Sequence, residues 1–260
     1  MTEPLLRITS RDNPLLVKLR RLLQDGSAYR RGGAIWLEGE HLCEAAVARG
    51  VPVQQALLGD SALAQPHLRR LAQAAPRVAV LPDALMRQLT TLDSPAPIGF
   101  VMSAPPRGRV PSPGVASVVL DRLQDPGNVG SILRSAAALG VPQVLALKGT
   151  AALWSPKVLR AGMGAHFSLE LVEDADASAL QALQLPLVAT SSHADQVLGR
   201  VALPRPAAWV FGHEGQGVSE TLQSRCTLTV RIPQPGGQES LNVAAAAAIC
   251  LYESLRGVQD

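Results

Sequence analysis

The chain has 260 residues, 47% of them apolar and 17% charged, with a formal net charge of +3. At ~100–200 residues per domain this is room for two domains, and the apolar fraction excludes general disorder. The longest apolar run, Val243 to Tyr252, falls short of the ~18 residues a membrane span takes, and the polar N-terminus MTEPLLRITSRDNP holds no signal core. These features predict a soluble, cytoplasmic protein with no membrane partner. Cys43, Cys226 and Cys250 are widely spaced and form no Cys-x-x-Cys pair, so neither a disulfide framework nor a metal site is expected.

The first 31 residues carry Arg7, Arg11, Lys18, Arg20, Arg21, Arg30 and Arg31 against Glu3, Asp12 and Asp25, a local charge of +4. Residues 32–114 come to +1 and residues 115–260 to −2. Two readings of the basic front fit equally: an RNA-binding or other polyanion-binding arm, or a solvated helix face. Leu15, Leu16, Leu19, Leu22 and Leu23 make this segment amphipathic at helical spacing. A strand at Ala34–Leu37, a helix at Glu40–Ala48, a strand at Val53–Leu58, a helix at Ala62–Ala74 and a strand at Val78–Leu81 then predict a small α/β domain. Ser103–Gly114 holds four prolines and two glycines, which allow neither helix nor central strand. The expected organisation is residues 1–104 as the first domain, 105–114 as linker and 115–260 as the second domain.

Beyond the linker the alternation is stronger. Strands are expected at Ser117–Leu120, Gln143–Leu147 and Ser168–Val172, with helices at Asn128–Leu139, Lys157–Met163 and Ala177–Leu183. Apolar strands at Leu187–Ala189, Ala208–Phe211 and Leu228–Ile232 precede a closing helix from Leu241 to Leu255. Apolar strands alternating with helices predict a parallel sheet covered on both faces. No G-x-G-x-x-G fingerprint opens a helix here and no Walker loop is present, which removes the main support for dehydrogenase or phosphoryl-transfer chemistry.

Three segments stand out. Asp121-Arg-Leu-Gln-Asp-Pro-Gly-Asn-Val-Gly-Ser-Ile-Leu-Arg134 reads as strand, tight turn and helix. In it Asn128 is a candidate helix cap, and Gly130 shares a helix face with Arg134. A guanidinium leaning toward a helix N-terminus is electrostatically poor unless an anion waits there. Trp209-Val-Phe-Gly-His-Glu-Gly-Gln-Gly217 ends a strand in three glycines that let the backbone curl closely around a ligand, with Glu214 supplying a carboxylate. Arg231-Ile-Pro-Gln-Pro-Gly-Gly-Gln-Glu-Ser-Leu-Asn242 leads into alanines 244–248, and either Ser240 or Asn242 is a candidate cap. The alanines give one helix face flat enough for very close packing, against another helix or a partner subunit.

Together these segments resemble the SpoU (TrmH) family of RNA ribose 2′-O-methyltransferases, in the SPOUT superfamily. The family's N-x-G-x-x-x-R is met by Asn128, Gly130 and Arg134, its G-x-E-G by Gly212, Glu214 and Gly215, and its I-P-…-S-L-N-V by Ile232, Pro233, Ser240, Leu241, Asn242 and Val243. Ser155–Gly164 is similar to a family stretch between the first two motifs, and Leu37-Glu-Gly-Glu40 to the family's RNA substrate-binding domain. Three departures stand out: His213 for asparagine, Gln234 for methionine and Ala244 for serine.

The resemblance implies an α/β SPOUT domain whose parallel sheet carries a C-terminal trefoil knot, a rare exception to unknotted topology, preceded by a small α/β substrate-binding domain. It implies S-adenosylmethionine as cofactor, held by Thr190, Ser191, Gly212, Gly215, Ile232 and Leu241, and a homodimer. It implies ribosomal RNA as substrate, with transfer RNA the alternative, and no metal. Arg134, Asn128, Glu214, Ser240 and Asn242 are the implied catalytic set. A guanidinium holds its proton at any ordinary pH, so the role expected of Arg134 is to bind the neighbouring phosphate and stabilise the developing alkoxide. Two further classes stand beside this one: a non-catalytic RNA-binding module on the same scaffold, and another α/β cofactor enzyme.

Overall fold

A computed structural model describes residues 5–90, 94–237 and 240–256. It divides into two compact units, one taking in Met1–Pro106 together with Trp154–Phe167, the other Arg107–Leu153 with Ser168–Asp260. The segment expected as a linker does not stand apart: residues 107–114 belong to the second unit, and Gly114 donates its N–H to the Leu183 carbonyl at 2.8 Å. The expected second domain also gives up residues 154–167. The helix Pro156–Gly162 buries Val158 and Leu159 and packs against the strand Ala34–Glu38 of the first unit.

The first unit is a mixed five-stranded sheet. Its strands are β1 (Leu6–Arg7), β2 (Ala34–Glu38), β3 (Val53–Gly59), β4 (Val78–Leu81) and β5 (Ile98–Ser103), in spatial order β1-β4-β3-β5-β2. β1 and β3 run parallel to β4, whereas β5 is antiparallel to both β2 and β3. β5 is not among the expected strands, because the prolines from 105 onward draw attention away from the apolar run before them. The amphipathic segment forms the helix Pro14–Gln24, capped by the Asn13 side chain and burying Leu16, Leu19 and Leu22. The helix expected over Ala62–Ala74 is instead a 3-10 turn, Asp60–Ala64, followed by the helix Pro66–Ala72. Pro66 has no N–H to continue the first segment, yet suits the first turn of the second. Trp36 is fully buried and donates its indole N–H to the Leu89 carbonyl at 3.0 Å.

The second unit is a seven-stranded, wholly parallel sheet. Its strands are β6 (Ser117–Asp121), β7 (Gln143–Leu147), β8 (Glu170–Ala175), β9 (Leu187–Thr190), β10 (Gln196–Val197), β11 (Ala208–Gly212) and β12 (Leu228–Arg231), in the order β10-β12-β9-β11-β6-β7-β8. β6, β7 and β11 are buried at every residue, as unbroken apolar strands between helical layers must be. Each fully buried Val, Leu or Phe in them contributes ~1.5–3 kcal/mol of burial. Ala177–Leu183 is a 3-10 helix rather than the expected α-helix. The helix Pro126–Ala138 packs on the closing helix Val243–Arg256, and Trp209 of β11 donates to the Ser254 hydroxyl at 2.8 Å.

Two consequences follow for the site. The order along the sheet reverses at β6, with β7 and β8 on one side and β11, β9 and β12 on the other. Ligands of open parallel sheets bind at such a switch point, beyond the carboxyl ends of the strands. There the loops following β12, β9, β11 and β6 stand side by side. Among the described residues no helix is long and apolar enough to cross a membrane.

Candidate active site

A cleft of about 1660 Å³ opens at three of these strand ends, those of β9, β11 and β12. Thr190 and Ser191 line it from the end of β9, Gly212, Glu214 and Gly215 from β11, and Ile232, Gln234, Ser240, Leu241 and Asn242 from β12. Gln238 and Glu239, in the third motif segment, lie outside the described residues.

The Glu214 carboxylate fastens two of these loops together. It accepts the backbone N–H of Asp125 at 3.1 Å, that of Gln124 at 3.3 Å and the side-chain amide of Asn128 at 3.2 Å. Asn128 in turn accepts from the Asn242 amide at 2.9 Å. One residue from each of the three motifs is thereby joined in a single chain of hydrogen bonds. Partial burial raises the pKa of Glu214, but hydrogen bonds from its own backbone, Asn128, Asp125 and Gln124 outweigh this and hold it below the usual carboxylate value of 4.5.

Local chemistry explains who is available for this network. The helix Pro126–Ala138 is capped by Asp125, whose carboxylate accepts the Asn128 N–H at 2.7 Å. The cap expected of Asn128 is therefore made by Asp125, and the Asn128 side chain turns to Glu214 and Asn242. Of the two candidate caps on the closing helix, Asn242 takes the place: its side-chain oxygen accepts from Ala244 N–H at 2.9 Å and Ala245 N–H at 3.3 Å. Its amide nitrogen is left for Asn128.

Gly212 lines the cleft and is also packed against its own loop. A Cβ there would sit 2.1 Å from the Gly217 carbonyl carbon and the Val218 nitrogen, so the close approach is to the returning arm of its own loop. His213 accepts the Gly215 N–H on Nδ1 at 3.1 Å and serves as a turn residue. Arg134 is exposed, does not line the cleft, and makes no hydrogen bond or ion pair among the described residues. Gly130, one turn before it, is buried.

Two residues that the motif reading passed over brace the same loops. Asp121, 3% exposed, accepts the Ser219 N–H at 2.7 Å and the Arg122 guanidinium at 3.1 Å. Arg122 also donates to the Gln216 side chain at 3.1 Å, and holds φ +60°. A non-glycine residue in the left-handed region is uncommon. Asp121 opens the first motif segment, and the backbone turn at Arg122 leaves no signal in composition or spacing. Gln234, one of the three departures from the family pattern, has its side-chain oxygen buried with no hydrogen-bond partner.

In the first unit the seven basic residues of the front divide. Arg7 pairs with Asp60 at 3.3 Å, Arg11 with Asp12 at 3.7 Å and Arg31 with Asp25 at 2.6 Å. Arg20 donates to Gln88 and to the Arg11 carbonyl, while Arg30 lies against the Tyr29 ring. Lys18 and Arg21 are exposed one turn apart on the helix Pro14–Gln24, with no hydrogen bond or ion pair from their side chains among the described residues.

The parallel sheet with its cleft at the carboxyl ends of three neighbouring strands is the build of an α/β enzyme of the SpoU type. The SpoU rRNA Methylase family model matches residues 116–252, and the chain belongs to that family. It is 36% identical to a Synechocystis protein described as an uncharacterized tRNA/rRNA methyltransferase, over 98% of this chain and 96% of that one. It is 30% identical to the 23S rRNA (uridine(2479)-2′-O)-methyltransferase of Streptomyces viridochromogenes, over 96% and 92% of the two chains. In structure it is similar to the SpoU methyltransferase AviRb of Streptomyces viridochromogenes in complex with AdoMet, with a TM-score of 0.85 and 27% identity over 95% and 99% of the chains.

The lowered pKa of Glu214 gives the loop contact a pH dependence of definite sign. A carboxylate held below its unfolded value contributes fully above about pH 4.5 and loses that contribution as pH falls through the folded value. The amide resonances of Gln124 and Asp125 should therefore shift on acidification below 4.5. In Glu214→Gln, which has no proton to gain in this range, that titration should vanish.

Proposed function

We propose that this protein is an S-adenosylmethionine-dependent RNA methyltransferase that methylates a ribose 2′-hydroxyl, with ribosomal RNA as the substrate. The observation that carries the reading is the Asn128–Glu214–Asn242 network, which draws residues of three motifs, far apart in sequence, to the rim of one cleft. Membership of the SpoU family and the name of the Streptomyces relative support both the reaction and the ribosomal substrate.

The residues present fit the cofactor. The cleft offers the hydroxyls of Thr190 and Ser191, the apolar side chains of Ile232, Leu241 and Val243, and the unpaired buried oxygen of Gln234. An adenosine joined to a charged amino-acid tail needs such a mixture of apolar wall and convergent polar groups. Thr190, Ser191, Gly212, Gly215, Ile232 and Leu241 are the residues we assign to holding it. When bound, S-adenosylmethionine supplies a methyl group already activated by a sulfonium.

What remains for the protein is alignment, charge and proton handling. Glu214 and Asn242 fix Asn128, which sets the motif-one helix against the loops that hold the cofactor; Ser240 lies beside them to orient the ribose. Bringing reacting groups together in this way removes much of a bimolecular barrier. Arg134, charged and without a partner among the described residues, binds the phosphate adjoining the ribose and stabilises the hydroxyl oxygen as its proton leaves. The same reading takes the family's trefoil knot to be formed by the chain following β12, a placement supported by the sheet order β12-β9-β11-β6.

Arg134→Lys retains charge but loses the planar fork, so it is not conservative at such a site. Arg134→Lys and Arg134→Ala should each lose about two to three orders of magnitude in methyl transfer, with S-adenosylmethionine affinity nearly unchanged in calorimetry. Near-normal turnover in both variants contradicts the role. Methylation of transfer RNA in place of ribosomal RNA by the wild type overturns the substrate while leaving the reaction.

Lys18 and Arg21 are the core of the RNA-binding arm, since Arg7, Arg11 and Arg31 already have carboxylate partners. Reversing both charges should weaken RNA binding and flatten its dependence on salt, without altering cofactor affinity. An unchanged salt dependence returns the segment to a plain solvated face.

The family's homodimer finds its support on the closing helix. Ile249 and Tyr252 are 41% and 57% exposed, and with Ala245 they form an apolar strip one to two turns long. Ala246, expected on the interface, lines the cleft instead, and Ala247 is buried. Ile249→Arg should therefore give a monomer by light scattering where the wild type is a dimer; a variant that stays dimeric places the interface elsewhere.

A further inference from the structure

Gln234 stands in the loop after β12, two residues beyond Ile232, and lines the cleft. Its backbone carbonyl accepts the Gly237 N–H at 3.3 Å, which closes the turn and fixes where the side chain begins. Its Oε1 is buried and has no hydrogen-bond partner. The other side-chain oxygens and nitrogens in the cleft wall that are used at all are used by the protein: Glu214 by three donors, Asn242 by its helix and by Asn128, His213 by Gly215.

A buried acceptor without a donor is costly in the free protein, and the cost disappears when a ligand supplies the missing N–H. No donor among the described residues reaches it, which leaves that part to the molecule that fills the cleft. S-adenosylmethionine carries two kinds of N–H donor, the 6-amino group of adenine and the α-ammonium of the amino-acid tail. Ile232, two residues earlier on the same short loop, offers an apolar surface that suits a purine better than a charged tail, so the 6-amino group is the donor that fits Gln234.

We propose that Gln234 is an adenine-reading residue, its side-chain oxygen accepting a hydrogen bond from the 6-amino group of the cofactor. The assignment rests on the cleft being the cofactor site. It makes this chain's pocket polar at a position where the resemblance leads one to expect methionine, so the base is held by a side chain as well as by backbone.

Gln234→Met conserves length and volume and removes the unpaired acceptor, so the variant should fold with an unchanged or higher Tm. Its affinity for S-adenosylmethionine should fall about tenfold, the scale of one lost hydrogen bond. 5′-Methylthioadenosine, which keeps the adenine and lacks the amino-acid tail, should lose affinity by the same factor. An equal affinity of variant and wild type for S-adenosylmethionine overturns the assignment. So does a loss seen with S-adenosylmethionine but not with methylthioadenosine, which moves the contact to the α-ammonium. A wild type that binds neither ligand overturns the cofactor reading itself, and is thereby told apart from the failure of Gln234 alone.

Discussion

The site depends on one carboxylate. Glu214 sits at the end of β11 and takes two backbone N–H groups at the start of the helix Pro126–Ala138, together with the Asn128 amide. Those N–H groups lie at the cap of the helix and just before it, where a negative charge is favoured by the helix dipole. The contact is thus satisfied on both sides. Without it the loops after β6 and β11 would have no shared hydrogen bond beyond the braces from Asp121 and Arg122.

The consequence reaches Arg134 through its helix. Once Glu214 fixes the start of that helix, the Arg134 position two turns along is fixed too, because the closing helix packs alongside. Glu214 meets the front of the helix through hydrogen bonds from Gln124, Asp125 and Asn128, while Arg134, two turns further on, makes no hydrogen bond or ion pair among the described residues. Of these two charges, the carboxylate on the neighbouring loop is held by hydrogen bonds within the fold, and the guanidinium stays exposed on the helix.

Most of the framework was legible in the sequence because the central strands of the second unit are short, mainly apolar runs bounded by turn residues. Glu40–Ala48, Gln143–Leu147 and Val78–Leu81 fall within the bounds their patterns predict. Errors came where a local rule had a competitor. Proline at 66 split one helix, and the prolines after Ser103 hid a central strand. Asn128 looked like a cap because asparagine so often is one; Asp125, three residues earlier and before a proline, was the better cap. That position 212 takes a glycine has a reason the motif does not show, since its own loop fills the space a Cβ would need. The brace at Arg122 and the unpaired oxygen of Gln234 depend on three-dimensional surroundings that no spacing records.

The excursion of Trp154–Phe167 into the first unit bears on how the chain is made. Domains that are continuous in sequence fold as they emerge from the ribosome, N-terminal part first, at ~5–20 residues per second. Here the first unit is still missing the helix that covers β2 when residue 106 appears, and it receives that helix only after β6 and β7 have been synthesised. The nascent first unit must wait through nearly fifty further residues with part of one sheet face open. Gly164 marks how closely the late segment is seated, since a Cβ there would come within 2.6 Å of Ala45. Birth order and fold order are thus out of step, and completion of the N-terminal unit is timed by the middle of the chain.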